Sequence, residues 1–126
     1  MSKVVIETPA APAAIGTYSQ AVRHGNTLYL SGQIPLVPAT MEIVGAEIRD
    51  QVTQVFENLD AVAQAGGASL QQALKLTIYV IDLAHFPIVN EVMARYFTPP
   101  YPARATVQVA ALPRGALVEI DAVLGL

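Results

Sequence analysis

The 126 residues predict an α+β fold in which two helices lie on one face of a mixed sheet. Three observations carry that expectation. Apolar residues recur at helical spacing over 46–65, while the runs at 74–81, 102–109 and 118–122 are β-branched or alternate with period two. The elements follow in the order strand, strand, strand, helix, strand, helix, strand, strand. Right-handed crossovers between parallel strands then place both helices on the same side, and the other sheet face is left bare.

Each element has its own local cause. Residues 4–7 read as a short strand, and a Pro- and Ala-rich loop over 8–16 leads into 18–23. His24-Gly25-Asn26 is a turn signal, so 27–33 is the second arm of a hairpin. Pro35 and Pro38 make 34–45 a loop. In 46–65, Ile48, Val52, Val55, Leu59 and Val62 form one apolar stripe, and Gly66-Gly67 supplies the left-handed stop. After the strand at 74–81, Asp82 is a good N-cap for a helix running to about Phe97, with Pro87 in its first turn. The segment 98–102, with three prolines, breaks that helix and delivers the chain to Arg104. Phe56, Phe86, Tyr29 and Tyr79 read most simply as core.

Composition narrows the function classes. The chain fits a single domain over 1–126, but hydrophobic residues make up 53% of it and charged residues 13%. A lone domain of this size has difficulty hiding so much apolar surface, so association of subunits is expected. A net charge of −3 with scattered basic residues argues against a nucleic-acid partner. Charged residues or Pro interrupt every long apolar run, which argues against a membrane partner, and residues 1–7 lack the pattern of a signal peptide. The sequence has no Cys, so disulfides, thiolate catalysis and Cys-held metals are out. A cytoplasmic location is the simplest expectation.

No cofactor or metal is expected either. Gly66-Gly67 lacks the context of a phosphate-binding loop, and His24 and His85 have no acidic partners at metal-ligand spacing. Ser19 and Ser31 suggest no Ser-His-Asp arrangement. What remains is Arg104 and Glu119. Alternation puts Arg104, Thr106 and Gln108 on one side of their strand, and Glu119 and Asp121 on the polar side of theirs. Read as neighbouring strands joined through 112–115, the two hold a guanidinium and a carboxylate on a rigid frame. An Arg can fork onto a substrate carboxylate, and a Glu can move a proton to or from water. The plain alternative is a cross-strand ion pair on a solvated face.

The motifs Ala14-Ile15-Gly16-Thr17-Tyr18-Ser19-Gln20, Leu30-Ser31-Gly32-Gln33-Ile34-Pro35, Val80-Ile81-Asp82-Leu83, Asn90 before Tyr96-Phe97, Pro102-Ala103-Arg104 and Val118-Glu119-Ile120 span nearly the whole chain. With them the sequence resembles the Rid (YjgF-like) family of reactive intermediate deaminases, which hydrolyse enamines and imines, and within it the archetypal RidA subgroup. The resemblance implies a chorismate-mutase-like, ferredoxin-like fold assembled as a homotrimer around a barrel, with sites in the clefts between subunits. It implies that Arg104 binds the substrate carboxylate, that Glu119 positions the attacking water, and that Tyr18 closes the pocket. Gly32 and Thr106 would supply main-chain hydrogen bonds, and Asn90 would support the site. The implied substrates are small 2-imino and 2-enamino acids, hydrolysed to 2-oxo acids and ammonia without a cofactor. Many relatives carry Cys where this chain has Thr106, so a thiol role is absent here. Rival readings are a non-catalytic trimer that binds small carboxylates, a deaminase for a larger enamine, and, least favoured by charge, an endoribonuclease.

Overall fold

The hairpin read from the turn at residues 24–26 forms in the computed structural model, which describes residues 2–126. Strand β2 (Ala21–His24) pairs antiparallel with β3 (Thr27–Gln33), and the short β1 (Val4–Ile6) adds to the outer side of β2. Helix α1 (Ile48–Ala65) then leads to β4 (Ala73–Val80), and helix α2 (Phe86–Met93) leads to β5 (Ala103–Gln108). The last strand, β6 (Val118–Gly125), does not extend the sheet beyond β5. It inserts between β3 and β4, giving the order β1-β2-β3-β6-β4-β5. Among the described residues only β4 and β5 pair in parallel.

Burial explains the central place of β6. Val118, Ile120, Ala122 and Leu124 alternate with period two and are all buried, so this strand covers itself best with neighbours on both edges. They meet Leu28 and Leu30 of β3, Leu76, Ile78 and Val80 of β4, and the stripe Val52, Val55, Phe56, Leu59 and Val62 of α1. From α2, Val89 and Val92 complete the same core. Both helices thus cover one face, as the crossover argument requires.

Helix α1 ends in a Schellman motif, with the Gly67 N–H donating to Gln64 O at 3.0 Å and the Ala68 N–H to Ala63 O at 2.9 Å. The left-handed residue is Gly67, at φ 83°. Asp82 caps as expected, its Oδ1 accepting from the Ala84 N–H at 2.9 Å. What it caps is a 3-10 turn, Leu83–His85, that feeds α2. Helix α2 itself stops at Met93, not near Phe97. Its end tightens, with the N–H groups of Arg95 and Tyr96 bonding three residues back. Tyr96 and Phe97 nonetheless flank Phe56, with ring centroids at 5.1 and 5.8 Å.

The loop at 34–45 is tied down by buried polar side chains. Gln51, 2% exposed, donates from Nε2 to Gly45 O at 2.7 Å and accepts from the Leu117 N–H at 2.8 Å. Asn58 donates to Leu36 O at 2.9 Å. Replacing Gln51 with Ala leaves the half-buried Leu117 N–H just before β6 and the Gly45 carbonyl without their partner, so Gln51→Ala is expected to lower unfolding free energy by about 1–3 kcal/mol in denaturant melts.

The second sheet face is uncovered in the single chain. The pairing register puts Val5, Val22, Tyr29, Ser31, Val123, Asp121, Glu119, Thr77, Tyr79, Ala105 and Val107 on it. Val5 is 56% exposed, Tyr29 48% and Val107 41%. Of the aromatic residues assigned to the core from sequence, only Phe56 belongs there. Tyr29 and Tyr79 stand on the open face, because an alternating strand offers two faces and a large ring suits either.

Candidate active site

Arg104 and Glu119 are not on neighbouring strands, and this corrects the reading of 102–122. Strand β4 lies between them: Arg104 is level with Leu76, and Glu119 pairs with Tyr79. They also project from opposite faces. Arg104 shares the helix side with Leu76, whereas Glu119 shares the open side with Tyr79. Two strands across and three residues along put their Cα atoms about 14 Å apart at ordinary sheet spacings. The candidate residues therefore fall into two groups.

The first group is built by the β4–α2–β5 unit. Arg104 sits near the start of the edge strand β5, where its side chain reaches back over α2. Its Nη1 donates to Asn90 Oδ1 at 2.8 Å and approaches Met93 Sδ at 3.6 Å. The guanidinium carbon stands 5.0 Å from the centroid of the Phe86 ring. These contacts hold the planar group against an amide, a thioether and an aromatic face. None of them neutralises its charge. Among the described residues the ion pair is Arg49–Glu91, 2.9 Å, on the outer side of the helices. Asn90, Met93, Ala94, Tyr101, Pro102 and Arg104 line a cleft of about 400 Å³. An anion entering it meets guanidinium donors already held in place. Phe86, read from sequence as core, is part of this seat.

Thr106 lies two residues along the same side of β5. Its Oγ1 is buried without a hydrogen-bond partner. The Val109 N–H bonds to Val80 O, toward β4, at 2.9 Å. Counting back by alternation turns the Thr106 N–H to the free edge of the sheet. The main-chain donor that the resemblance implies is thus aimed outward, beside the cleft.

The second group gathers at an irregularity in β3. Leu30 pairs with Ala122 but Gln33 with Ile120, so one extra residue is accommodated at Ser31-Gly32. Over this bulge lies the Glu119 carboxylate. A Cβ built on Gly32 would stand 2.4 Å from Glu119 Oε2, 3.1 Å from Cδ and 3.3 Å from Cγ. Gly32 is glycine because the acid occupies the space where a side chain would be. Half-burial, and then the charge of Asp121, push the Glu119 carboxyl above the usual carboxylate range.

Tyr18 joins this second group through the backbone. Ser31 Oγ donates to Ser19 O at 2.5 Å, and the Ser31 N–H to Gln20 O at 3.0 Å. Tyr18, 52% exposed, lines a cleft of about 470 Å³ with Lys3, Thr17, Ser19, Tyr29 and Ser31. Gln20 anchors the preceding loop, donating from Nε2 to Pro12 O at 2.8 Å and accepting from the Thr8 N–H at 2.7 Å. Sequence reading named Gln20 only within a motif. Its signal was a polar residue at the head of an apolar strand, next to a long Pro-rich loop.

Among the described residues no group of His, Cys, Asp or Glu could hold a metal ion, and no helix is long and apolar enough to cross a membrane.

Comparison with known proteins fixes the family. The family model described as Endoribonuclease L-PSP matches residues 8–124. The chain belongs to the Rid (YjgF-like) family. It is 48% identical over 122 residues to a protein of Dermatophagoides farinae named 2-iminobutanoate/2-iminopropanoate deaminase, covering 97% of this chain and 95% of that one. The crystal structure of RidA from an Antarctic Psychrobacter superposes with a TM-score of 0.94 at 49% identity, over 98% of this chain and 99% of that chain. Escherichia coli TdcF, solved with bound serine, gives a TM-score of 0.92 at 40% identity and 98% coverage of both chains. The fold of this Rid-family chain, two helices on one face of a mixed sheet, is therefore that of RidA.

Proposed function

We propose that this chain is a deaminase that hydrolyses small 2-imino and 2-enamino acids to 2-oxo acids and ammonia. The observation that carries the reading is the Arg104 guanidinium, seated on Asn90, Met93 and Phe86 beside an open cleft with no acid to neutralise it. That is a receptor for a carboxylate. A relative at 48% identity is named for 2-iminobutanoate and 2-iminopropanoate, and a structural neighbour holds serine, an amino acid with the same carboxylate.

The chemistry asks little of the protein. An enamine tautomerises to the imine, and the protonated C=N carbon is already electrophilic. Water adds to that carbon, forming the C–O bond as its proton passes to Glu119. The carbinolamine nitrogen then takes that proton back from Glu119, and as the C–N bond breaks to release ammonia the hydroxyl proton passes to Glu119, leaving the 2-oxo acid. Arg104 orients the carboxylate, and the outward Thr106 N–H and the backbone at Gly32 bind substrate or water. Tyr18 closes over them. Positioned proton transfer of this kind contributes on the order of 10²–10⁴-fold. No cofactor is called for by these steps, and the proposed setting is cytoplasmic.

The separation of Arg104 from Glu119 makes assembly part of the reading. A small 2-imino acid does not bridge opposite faces of one sheet, so the two groups act together only when supplied by different subunits. The uncovered face, with Val5, Tyr29 and Val107 exposed, and the free edge of β5 are the surfaces that association would cover. A homotrimer with three clefts between subunits meets this demand, and light scattering of the purified protein tests it.

The activity test couples an amino-acid oxidase to the protein and follows loss of the imine in competition with semicarbazide. Faster imine loss with wild type supports the deaminase. Binding of 2-oxo acids without acceleration, across several imino acids, points instead to a carboxylate-binding regulator. Glu119→Gln is expected to keep ligand affinity within a few-fold while lowering kcat about a hundredfold, as removal of a general base does. An unchanged kcat removes Glu119 from the chemistry.

A further inference from the structure

Beside Glu119 the open face holds a second acid that the chemistry above leaves unused. Glu119 and Asp121 project from the same side of β6, and their partners across the ladder on β4 are Tyr79 and Thr77. The Tyr79 hydroxyl crosses this diagonal and donates to Asp121 Oδ2 at 3.3 Å. On its other flank Glu119 rests on the Gly32 backbone, where Oε2 leaves no room for a Cβ. Glu119 therefore sits between a backbone it cannot approach further and a carboxylate that a phenol holds in place.

The remaining groups near it on this face are few. Strand β3 contributes Ser31 and Tyr29, the loop before β2 brings Tyr18 into one cleft with Ser31 and Lys3, and β5 contributes the uncharged Ala105 and Val107. Lys75, paired with Val123, stands one step beyond Asp121 on the far side from Glu119. Asp121 is thus the charge that shares the strand face of Glu119 and bears on its carboxyl.

We propose that Asp121, anchored by the Tyr79 hydroxyl, is a positioning residue that acts through Glu119: its carboxylate raises the pH at which Glu119 changes charge, against the opposite pull of the Arg104 that another subunit brings to the site, and so raises the pH at which turnover begins. The proposal rests on the deaminase reading of the site. Carboxylates two residues apart on one strand face lie about 7 Å from each other, and a like charge at that distance favours the protonated form of its neighbour. An unanchored Asp121 would turn toward water and act more weakly. With Tyr79 holding it, the effect is built into the sheet. The upward push that Glu119 receives from burial and from Asp121, and the one Tyr79 receives from burial, Asp121 and Glu119, agree with this arrangement.

The test compares wild type, Asp121→Asn and Tyr79→Phe by the pH profile of kcat/KM and by carboxyl-carbon NMR titration of Glu119. Asn keeps the shape and an acceptor for the phenol while removing the charge. In Asp121→Asn the acidic limb and the Glu119 midpoint are expected to move together to lower pH by about 0.5–1 unit, with the plateau kcat within about twofold of wild type. Tyr79→Phe moves both in the same direction by less, and serves if the Asn variant does not fold. An active wild type whose limb and midpoint stay put in Asp121→Asn overturns the proposal alone. A wild type that hydrolyses no imine overturns the deaminase reading, and the proposal with it, whatever the titration gives.

Discussion

Arg104→Ala is expected to lower kcat/KM for small 2-imino acids by about 10²–10⁴-fold while leaving the melting temperature almost unchanged. A fork onto a carboxylate makes two charge-assisted bonds, each worth about 1.5–3 kcal/mol, and both are lost at once. Substrate orientation goes with them, since among the described residues no other cation lines the Arg104 cleft. The stability side is small because the arginine lies on an edge strand, and its contacts to Asn90, Met93 and Phe86 involve no buried ion pair. Arg104→Lys separates charge from geometry. Lysine restores a point charge but neither the fork nor the flat stacking on Phe86, so it should recover less than a tenth of the lost activity. Steady-state kinetics beside thermal melts check both. Activity in Arg104→Ala within tenfold of wild type means that the carboxylate is anchored elsewhere.

Much of this frame was legible in the chain. The stripe of α1, the Gly66-Gly67 stop, the Asp82 cap and the alternation of 118–122 follow from local periodicity and local hydrogen bonding, and each lies where the residues put it. What local pattern does not carry is which strand sits beside which. A short connection through Leu112 and Gly115 invites β5 and β6 to pair, but β6 buries four alternate apolar residues and gains more at the centre of the sheet. Parity has the same limit. It puts Arg104 with Thr106, and Glu119 with Asp121, yet does not say that one polar row faces α2 and the other the open side. Sequence thus offers the candidate residues but not their division into two groups. The irregularity at Ser31-Gly32 had a signal, a Gly inside a strand, whose cause was the acid of another strand.

That cause gives the second large effect. Gly32→Ala is expected to reduce kcat by about 10²–10³-fold with little loss of stability, because what stands in the way of the new methyl is the Glu119 carboxylate, proposed above as the proton acceptor. At 2.4 Å from Oε2 the methyl cannot coexist with the present rotamer, and at 3.1 and 3.3 Å from Cδ and Cγ it displaces the whole end of the side chain. Glu119 is only half-buried and can swing toward solvent, so the fold adapts where the chemistry does not. The variant should therefore melt like wild type and bind a 2-oxo acid, yet turn over no faster than Glu119→Gln. Adding Gly32→Ala to Glu119→Gln should cost almost nothing further, since both changes remove the same group. Full additivity of the two would show that Gly32 serves the reaction by a route of its own, such as its main-chain N–H, and would detach the glycine from the acid lying over it.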